Sequence, residues 1–327
     1  MTPKISVLIA TYNRADLLPN AIESVLQQTY SDYEIVIADD GSNDGTADVI
    51  APYLSERHPS HHKIRYFHQN NQGKSVALNN ALAVARGEWI AIVDSDDVWM
   101  PEKLEWQFRA IERFPECSIC FSDCSFVNNP RMDTTAYQFF GRSFGELLNK
   151  VDNSPEFLLE TPCALIITLL FRASLVREAG GFDPLLRFTE DYDFTFRLAL
   201  RSDMCCVNLP LAAADRSSNR HSGASLIWDE VGFRLQCEQY RYEKWLRNNQ
   251  VTGRIRDSII ERLRCVHSGW ANLHLAAKDY PAAKHSISRA LKYERKLNLI
   301  LKWLLTASFP NLMRQIALRR GFEVAHF

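Results

Sequence analysis

Short apolar runs alternate with helix-period segments through the first third of the chain. Residues 5–10 are mostly apolar and partly β-branched, the composition of a strand buried on both faces. Residues 16–28 follow with Leu17, Leu18, Ile22, Val25 and Leu26 at helical spacing. Residues 33–38 predict a second strand. A second helix is predicted over 44–54, after the turn sequence Asp40-Gly41-Ser42-Asn43. Residues 64–67, 75–85 and 89–93 continue as strand, helix and strand, and Pro101 suits the first turn of a fourth helix. This βαβαβαβ succession predicts a doubly wound parallel sheet. Ligands bind such sheets beyond the carboxyl ends of the strands. That directs attention to residues 11–14, 39–42 and 94–97, each polar or acidic directly after an apolar run.

Residues 117–222 mix strands with a few helices, and no low-complexity linker separates them from the front. Residues 1–226 therefore read as one domain and 227–327 as a helical extension. Two short helices are predicted within 270–291, joined at Asp279-Tyr280-Pro281. With no second copy, this hairpin reads as a packing element rather than a peptide-binding array. Farther on, Leu297, Ile300, Leu301, Leu304 and Leu305 share one helical face beside Trp303, and Arg314, Arg319 and Arg320 follow Pro310. That face suits either packing on the preceding domain or peripheral contact with an anionic membrane surface.

Composition narrows the classes. Of 327 residues, 46% are hydrophobic and 24% charged, which excludes wholesale disorder. A formal net charge of -1 argues against nucleic acid as a partner. The charge is unevenly spread: from Val251 onward there are 14 Lys/Arg against 5 Asp/Glu, whereas the first 250 residues hold 24 against 34. The acidic front and basic tail therefore suit different tasks. Eight cysteines without a signal peptide fit a reducing, cytoplasmic setting. The longest apolar stretches, 163–171 and 299–305, fall well short of the ~20 residues that span a bilayer, so no transmembrane helix is expected.

Three segments carry candidate chemistry. In Asp94-Ser95-Asp96-Asp97, three carboxylates in four residues repel one another unless a cation is present. A hard divalent ion would neutralise them and bridge a diphosphate, and a solvated turn is the plain alternative. Asp39-Asp40-Gly41-Ser42 could accept hydrogen bonds from a base or ribose, or be an ordinary turn. Thr189-Glu190-Asp191-Tyr192-Asp193 precedes a helical run, so its acids either cap the helix or supply a general base.

Taken in order, these segments resemble the family 2 glycosyltransferases, inverting enzymes with the GT-A fold. The resemblance covers residues 4–225. It rests on Ser6-Val7-Leu8-Ile9-Ala10-Thr11-Tyr12-Asn13-Arg14, on Asp39-Asp40-Gly41-Ser42 with Asp44-Gly45-Thr46, and on Asn71-Gln72-Gly73-Lys74 with Ala77-Leu78-Asn79. It continues through Gly87-Glu88-Trp89-Ile90 into Asp94-Ser95-Asp96-Asp97, then Gly180-Gly181-Phe182-Asp183 and Glu190-Asp191. It implies a Rossmann-like, mostly parallel central sheet with flanking helices. It also implies a nucleotide-sugar donor, commonly a UDP-sugar, and a saccharide or lipid-linked saccharide acceptor. The implied pathway is surface polysaccharide or glycoconjugate synthesis. Thr11, Tyr12, Asn13, Arg14, Asp39, Asp40, Lys74, Asn79, Asp94 and Ser95 would border the nucleotide. Asp94 and Asp96 would form the DxD motif holding Mn²⁺ or Mg²⁺, with His221 as a further ligand, and Asp191 would be the base.

Competing classes fare worse. No glycine lies in Ala10-Thr11-Tyr12-Asn13-Arg14, against a dinucleotide-binding dehydrogenase, and no G-x4-G-K-[ST] occurs. The remaining alternative is a non-catalytic nucleotide-sugar-binding or scaffold module on a decayed transferase fold. The presence of Asp94, Asp96 and Asp191 weighs against decay. Cys117-x2-Cys120-x3-Cys124 falls on a predicted strand over 118–127, which would point the thiols in different directions. His58, His61, His62 and His68 fit no standard zinc spacing and read as a solvated loop.

Overall fold

The computed structural model describes residues 3–128, 133–216, 231–293 and 297–319. They belong to two units, Met1–Arg220 and His221–Phe327. The boundary expected between 226 and 227, and His221 itself, lie outside the described residues.

The apolar runs become the parallel half of a ten-stranded sheet. Strands β1 (Ile5–Thr11), β2 (Tyr33–Asp39), β3 (Ile64–His68) and β4 (Trp89–Ile92) pair in parallel in the order β3-β2-β1-β4. Helices α1 (Leu18–Leu26), α2 (Thr46–Leu54) and α3 (Lys74–Val84) make the crossovers. All seven residues of β2 are buried, which is why it is apolar apart from Glu34 and Asp39. The polar breaks inside β1 and β2 are satisfied: Ser6 Oγ donates to Glu34 Oε1 at 2.7 Å, which also accepts from Arg86 N.

Beyond β4 antiparallel pairs join the mostly parallel sheet that the family resemblance implied. Strand β9 (Leu170–Arg172) pairs antiparallel with both β4 and β6 (Ile119–Val127). Strand β10 (Met204–Asp215) then runs parallel to β6, with a register shift around Pro210. The short strand β5 (Val98–Trp99) pairs antiparallel with β10. Strands β7 (Thr134–Thr135) and β8 (Leu148–Val151) attach to β6 and β10. Short helices α5 (Ala136–Phe139), α6 (Ser154–Glu160) and α7 (Ala173–Ala179) lie along this half, and helix α8 (Glu190–Ala199) leads into β10.

Three helix starts differ from expectation, and the first of these is α2, which opens at Thr46 rather than 44, after Gly45 at φ +88°. Helix α1 begins at Leu18 because Pro19 fits only a first turn, and 14–17 form a turn closed by Leu17 N on Arg14 O. Helix α4 (Lys103–Arg113) starts two residues after Pro101. The cysteine expectation is also corrected. Cys120 and Cys124 are four apart on β6 and so share a face, but both thiols are buried in the apolar core.

Lys103 on α4 is fully buried. Its Nζ donates to Gln107 Oε1 at 2.8 Å and lies 4.0 Å from the centre of the Trp99 ring. Burial pushes this amine down to about 7. The unfolded chain keeps the proton up to ~10.4, so the folded state loses a buried charge first as pH rises. Stability therefore climbs above pH 7. Lys103→Met is expected to stabilise most at pH 6–7, with its advantage shrinking by about 2 kcal/mol by pH 8.5. Urea midpoints of both proteins across that range check this, and a pH-independent difference would refute it.

The second unit is helical. It comprises α9 (Val231–Leu246), α10 (Gly253–Ala276), α11 (Tyr280–Tyr293), α12 (Leu297–Ser308) and α13 (Pro310–Arg319). The expected hairpin is present, but its first arm starts at Gly253, since Ile259, Leu263 and Val266 are already at buried helical positions. Lys278, at φ 63°, makes the turn. The face expected on α12 is divided: Leu305 packs with Leu275, Ala283 and Met313, whereas Ile300, Leu301 and Leu304 are exposed.

Candidate active site

The loops after β1 and β2 are tied together by their own polar side chains. Asn13, at φ 51°, donates from its backbone N to Ser42 Oγ and accepts from Asn43 N at its side-chain oxygen, both 2.9 Å. Arg14 N reaches Thr46 Oγ1. Asp39 is fully buried and accepts from Ser42 N and Tyr66 OH at 2.9 Å each. Asp40 accepts from Gln69 Nε2, Gln72 N and Gly73 N at 2.8–2.9 Å. Both carboxylates thus hold loops together. Gly41 is required here: its φ is +85°, and a Cβ would sit 2.8 Å from Asn71 N. Tyr12 is about half exposed at this sheet end. Thr11 Oγ1 is buried with no hydrogen-bond partner among the described residues.

The turn after β4 carries the acidic cluster. Carboxylate oxygens of Asp94, Asp96 and Asp97 all lie within 4.8 Å of one another, and among the described residues no other group of metal-ligating side chains is so arranged. Burial, and then the charge of Asp94, raise the Asp96 carboxyl above its usual range. Lys74 and Arg14 oppose that rise. Asp97 is held well above its range by burial and both neighbouring aspartates, with Arg216 opposing. Its Oδ1 also accepts from Asp215 N at 3.1 Å, which fastens the turn to the end of β10. Ser95 is buried within the turn. Crowded carboxylates that resist joint ionisation are a set of hard oxygen donors, and they fit a hard divalent cation.

Lys74 opens α3, and its Nζ lies 2.7 Å from Asp94 Oδ1 and 3.9 Å from Glu190 Oε1. Burial alone would push this amine down. Asp94, Glu190 and Asp191 more than reverse that and hold it above its usual value. The structure therefore brings the turn after β4 and the start of α8 to one point. Glu190 is raised to about 7 by burial and by Asp191 beside it. Asp191 Oδ1 accepts from Tyr192 N at 2.7 Å, in the first turn of α8, where the helix dipole favours an anion.

The segment leading into α8 is clamped from two sides. Asn79 accepts from Phe182 N and donates to Phe182 O, both at 2.8 Å. Its amide is thus engaged by backbone 103 residues away. A Cβ at Gly181 would collide with the Asn79 side chain, so glycine is needed there too. Arg197 on α8 binds Asp193 Oδ2 at 2.8 Å and donates to the carbonyls of Ala179, Gly180 and Gly181. Thr189 then turns the chain at φ 62°, a strained conformation for a β-branched residue, with its hydroxyl buried and unpartnered among the described residues.

Sequence reasoning missed Glu190 as a participant, although it stands in the Glu-Asp pair. It also missed the Arg197 clamp, which carries no motif. The candidate ligand His221 lies outside the described residues.

The family described as Glycosyl transferase family 2 matches residues 6–173, just over half of the chain. An uncharacterized glycosyltransferase of Nostoc is 51% identical over 111 residues, which is 34% of this chain and 33% of that protein. TuaG of Bacillus subtilis, provisionally named a teichuronic acid biosynthesis glycosyltransferase, is 36% identical over 126 residues, 38% of this chain and 48% of that protein. Across the curated relatives the matched stretches span less than two thirds of the relatives' own length, as low as 17% and at most 64%. The crystal structure of Staphylococcus aureus TarS 1–349 in complex with UDP-GlcNAc superposes with a TM-score of 0.69 at 17% identity, covering 97% of this chain and 92% of that one. That likeness shows the fold, which is the GT-A arrangement.

Proposed function

The chain belongs to glycosyl transferase family 2, and from that membership we propose that it moves a sugar from a nucleotide-sugar donor, a UDP-sugar, to a hydroxyl of a saccharide or lipid-linked saccharide. The TarS neighbour crystallised with UDP-GlcNAc supports a uridine donor. The relative named for teichuronic acid biosynthesis supports a role in surface polysaccharide or glycoconjugate synthesis. The observation that carries the reading is the meeting of Asp94 and the Glu190-Asp191 pair around the Lys74 amine. In this reading a site for a diphosphate and a site for a proton acceptor lie side by side there.

In this reading Tyr12 offers its exposed ring to the base, and the loops braced by Asn13, Arg14, Asp39 and Asp40 shape the ribose pocket. Asp94 and Asp96 would hold Mn²⁺ or Mg²⁺, which when bound would offset the negative charge of the departing diphosphate. Lys74 adds a second positive charge beside it, and Asn79 fixes the segment that delivers the base. The acceptor oxygen attacks the anomeric carbon as the bond from that carbon to the diphosphate breaks on the opposite face. The acceptor proton passes to Asp191. One displacement inverts the carbon without an enzyme nucleophile.

The test is a donor screen. The purified chain is mixed with UDP-, GDP- and dTDP-sugars in Mn²⁺, Mg²⁺ or EDTA, and free nucleoside diphosphate is recorded. Metal-dependent release from one donor, lost with EDTA, is the expected result. Silence from all donors, joined to calorimetry with no binding of UDP, GDP or dTDP in Mn²⁺, would instead favour the non-catalytic module.

A further inference from the structure

Lys74 stands where a helix disfavours a cation. It is the first residue of α3, and no acidic side chain lies in that helix's first turn. Its side chain is 39% exposed, so water is within reach of the ammonium. The nitrogen nevertheless turns to carboxylates, lying 2.7 Å from Asp94 Oδ1 and 3.9 Å from Glu190 Oε1. Arg14 and Arg216 also act on the acidic turn through their charge. Among the described residues only Lys74 forms a salt bridge with it.

Asp94 is thereby claimed twice. It belongs to the three carboxylates whose oxygens lie within 4.8 Å of one another and which fit a divalent cation. Two cations a few ångströms apart in a partly buried site repel each other more than they would in water. The surroundings also offer Lys74 other partners. Glu190 already lies 3.9 Å from the same nitrogen. The start of α3, which disfavours an ammonium, attracts a phosphate group, and that phosphate would meet the lysine there. We propose that Lys74 competes with the divalent ion for Asp94 and is drawn off by a nucleoside diphosphate, so that ion and nucleotide raise each other's affinity. Linkage makes the two enhancements equal. The lysine thus keeps the ion from settling until the nucleotide is present. The inference rests on the transfer reading for the identity of ion and nucleotide, and adds to it the lysine's part in their coupling.

The test is Mn²⁺ binding to the full chain at one fixed, near-neutral pH, with and without UDP, read from the electron paramagnetic resonance of the free ion. Without UDP, Lys74→Met is expected to bind Mn²⁺ at least about tenfold more tightly than the wild type. UDP is expected to enhance Mn²⁺ affinity about tenfold less in that variant than in the wild type. Lys74→Gln, neutral but differently shaped, should behave alike, whereas Lys74→Arg keeps the charge and should gain less than about threefold. Thermal unfolding checks that each variant is folded. Mn²⁺ affinity unchanged in the folded neutral variants would overturn the proposal, as would an equal gain in Lys74→Arg. So would a gain that persists in full with UDP, because the lysine would then repel the ion without being drawn off. Those results leave the transfer reading standing. Mn²⁺ bound by neither wild type nor variants, with or without UDP, would overturn the metal-dependent reading along with the proposal.

Discussion

Asp191→Asn is expected to lower sugar transfer by ~10²–10⁴-fold while nucleotide binding changes only a few-fold. Asparagine keeps the shape and can still accept the hydrogen bond from Tyr192 N, so the first turn of α8 should persist. What it cannot do is take a proton. Lys74 keeps its 2.7 Å partner at Asp94, so the charge facing the donor is little altered. Glu190 supplies the control. Burial and Asp191 raise it to about 7, so near neutral pH it is a mixture of acid and carboxylate. If Glu190→Gln stops transfer and Asp191→Asn does not, the base has been assigned to the wrong member of the pair. Single-turnover rates with a donor found by the screen, alongside calorimetry for the nucleotide, separate the two outcomes.

Asp96→Asn should produce the second large change, in opposite directions for function and stability. Burial and the adjacent Asp94 charge already make ionised Asp96 costly in the folded protein. Removing that charge is expected to stabilise the metal-free chain. Removing a carboxylate donor should weaken metal-dependent binding of the nucleotide by at least about a hundredfold, since even residues that merely support ligands cost 10–100-fold. Urea unfolding without metal and UDP calorimetry with Mn²⁺ measure the two sides. Undiminished nucleotide binding by the variant would remove Asp96 from the ion's ligands. Carboxylates that destabilise an empty site are what a site kept for binding rather than for folding should show.

The parallel strands were legible because burial on both faces forces mostly apolar runs, as in β2, where only Glu34 and Asp39 depart. The loops after β1, β2 and β4 were legible for the same reason, since each starts where such a run stops. The helix starts were less so. Pro19 and Pro101 both mark first turns or the residues just before them, and only hydrogen bonding decides which. In the far half of the sheet only β6 was legible, as the predicted strand over 118–127, and its pairing was not. Strand β9 enters antiparallel between β4 and β6, a pairing across long sequence distances that leaves no periodic trace. Within the site, acids were visible as clusters, but their division of labour was not. Asp39 and Asp40 look like Asp94 and Asp96 in sequence, yet the first pair is saturated by internal donors and the second is crowded by like charge. Asn79 reads as part of a motif, and only the fold reveals that it grips Phe182.

The position of β10 bears on how the protein is made. The last strand of the first unit is not at the sheet margin but between β6 and β5. Until residues 204–215 have left the ribosome, β6 has no parallel neighbour along that side, and β5 has no strand to pair with. A nascent chain therefore waits with an open, apolar edge, including Phe121 and Cys120, that invites pairing with other chains. Fragments ending before about residue 204 should collect in inclusion bodies even though they retain β1 to β4 and the acidic turn. The usable amino-terminal piece of this protein is consequently the entire first unit, and shorter truncations are poor choices for expression.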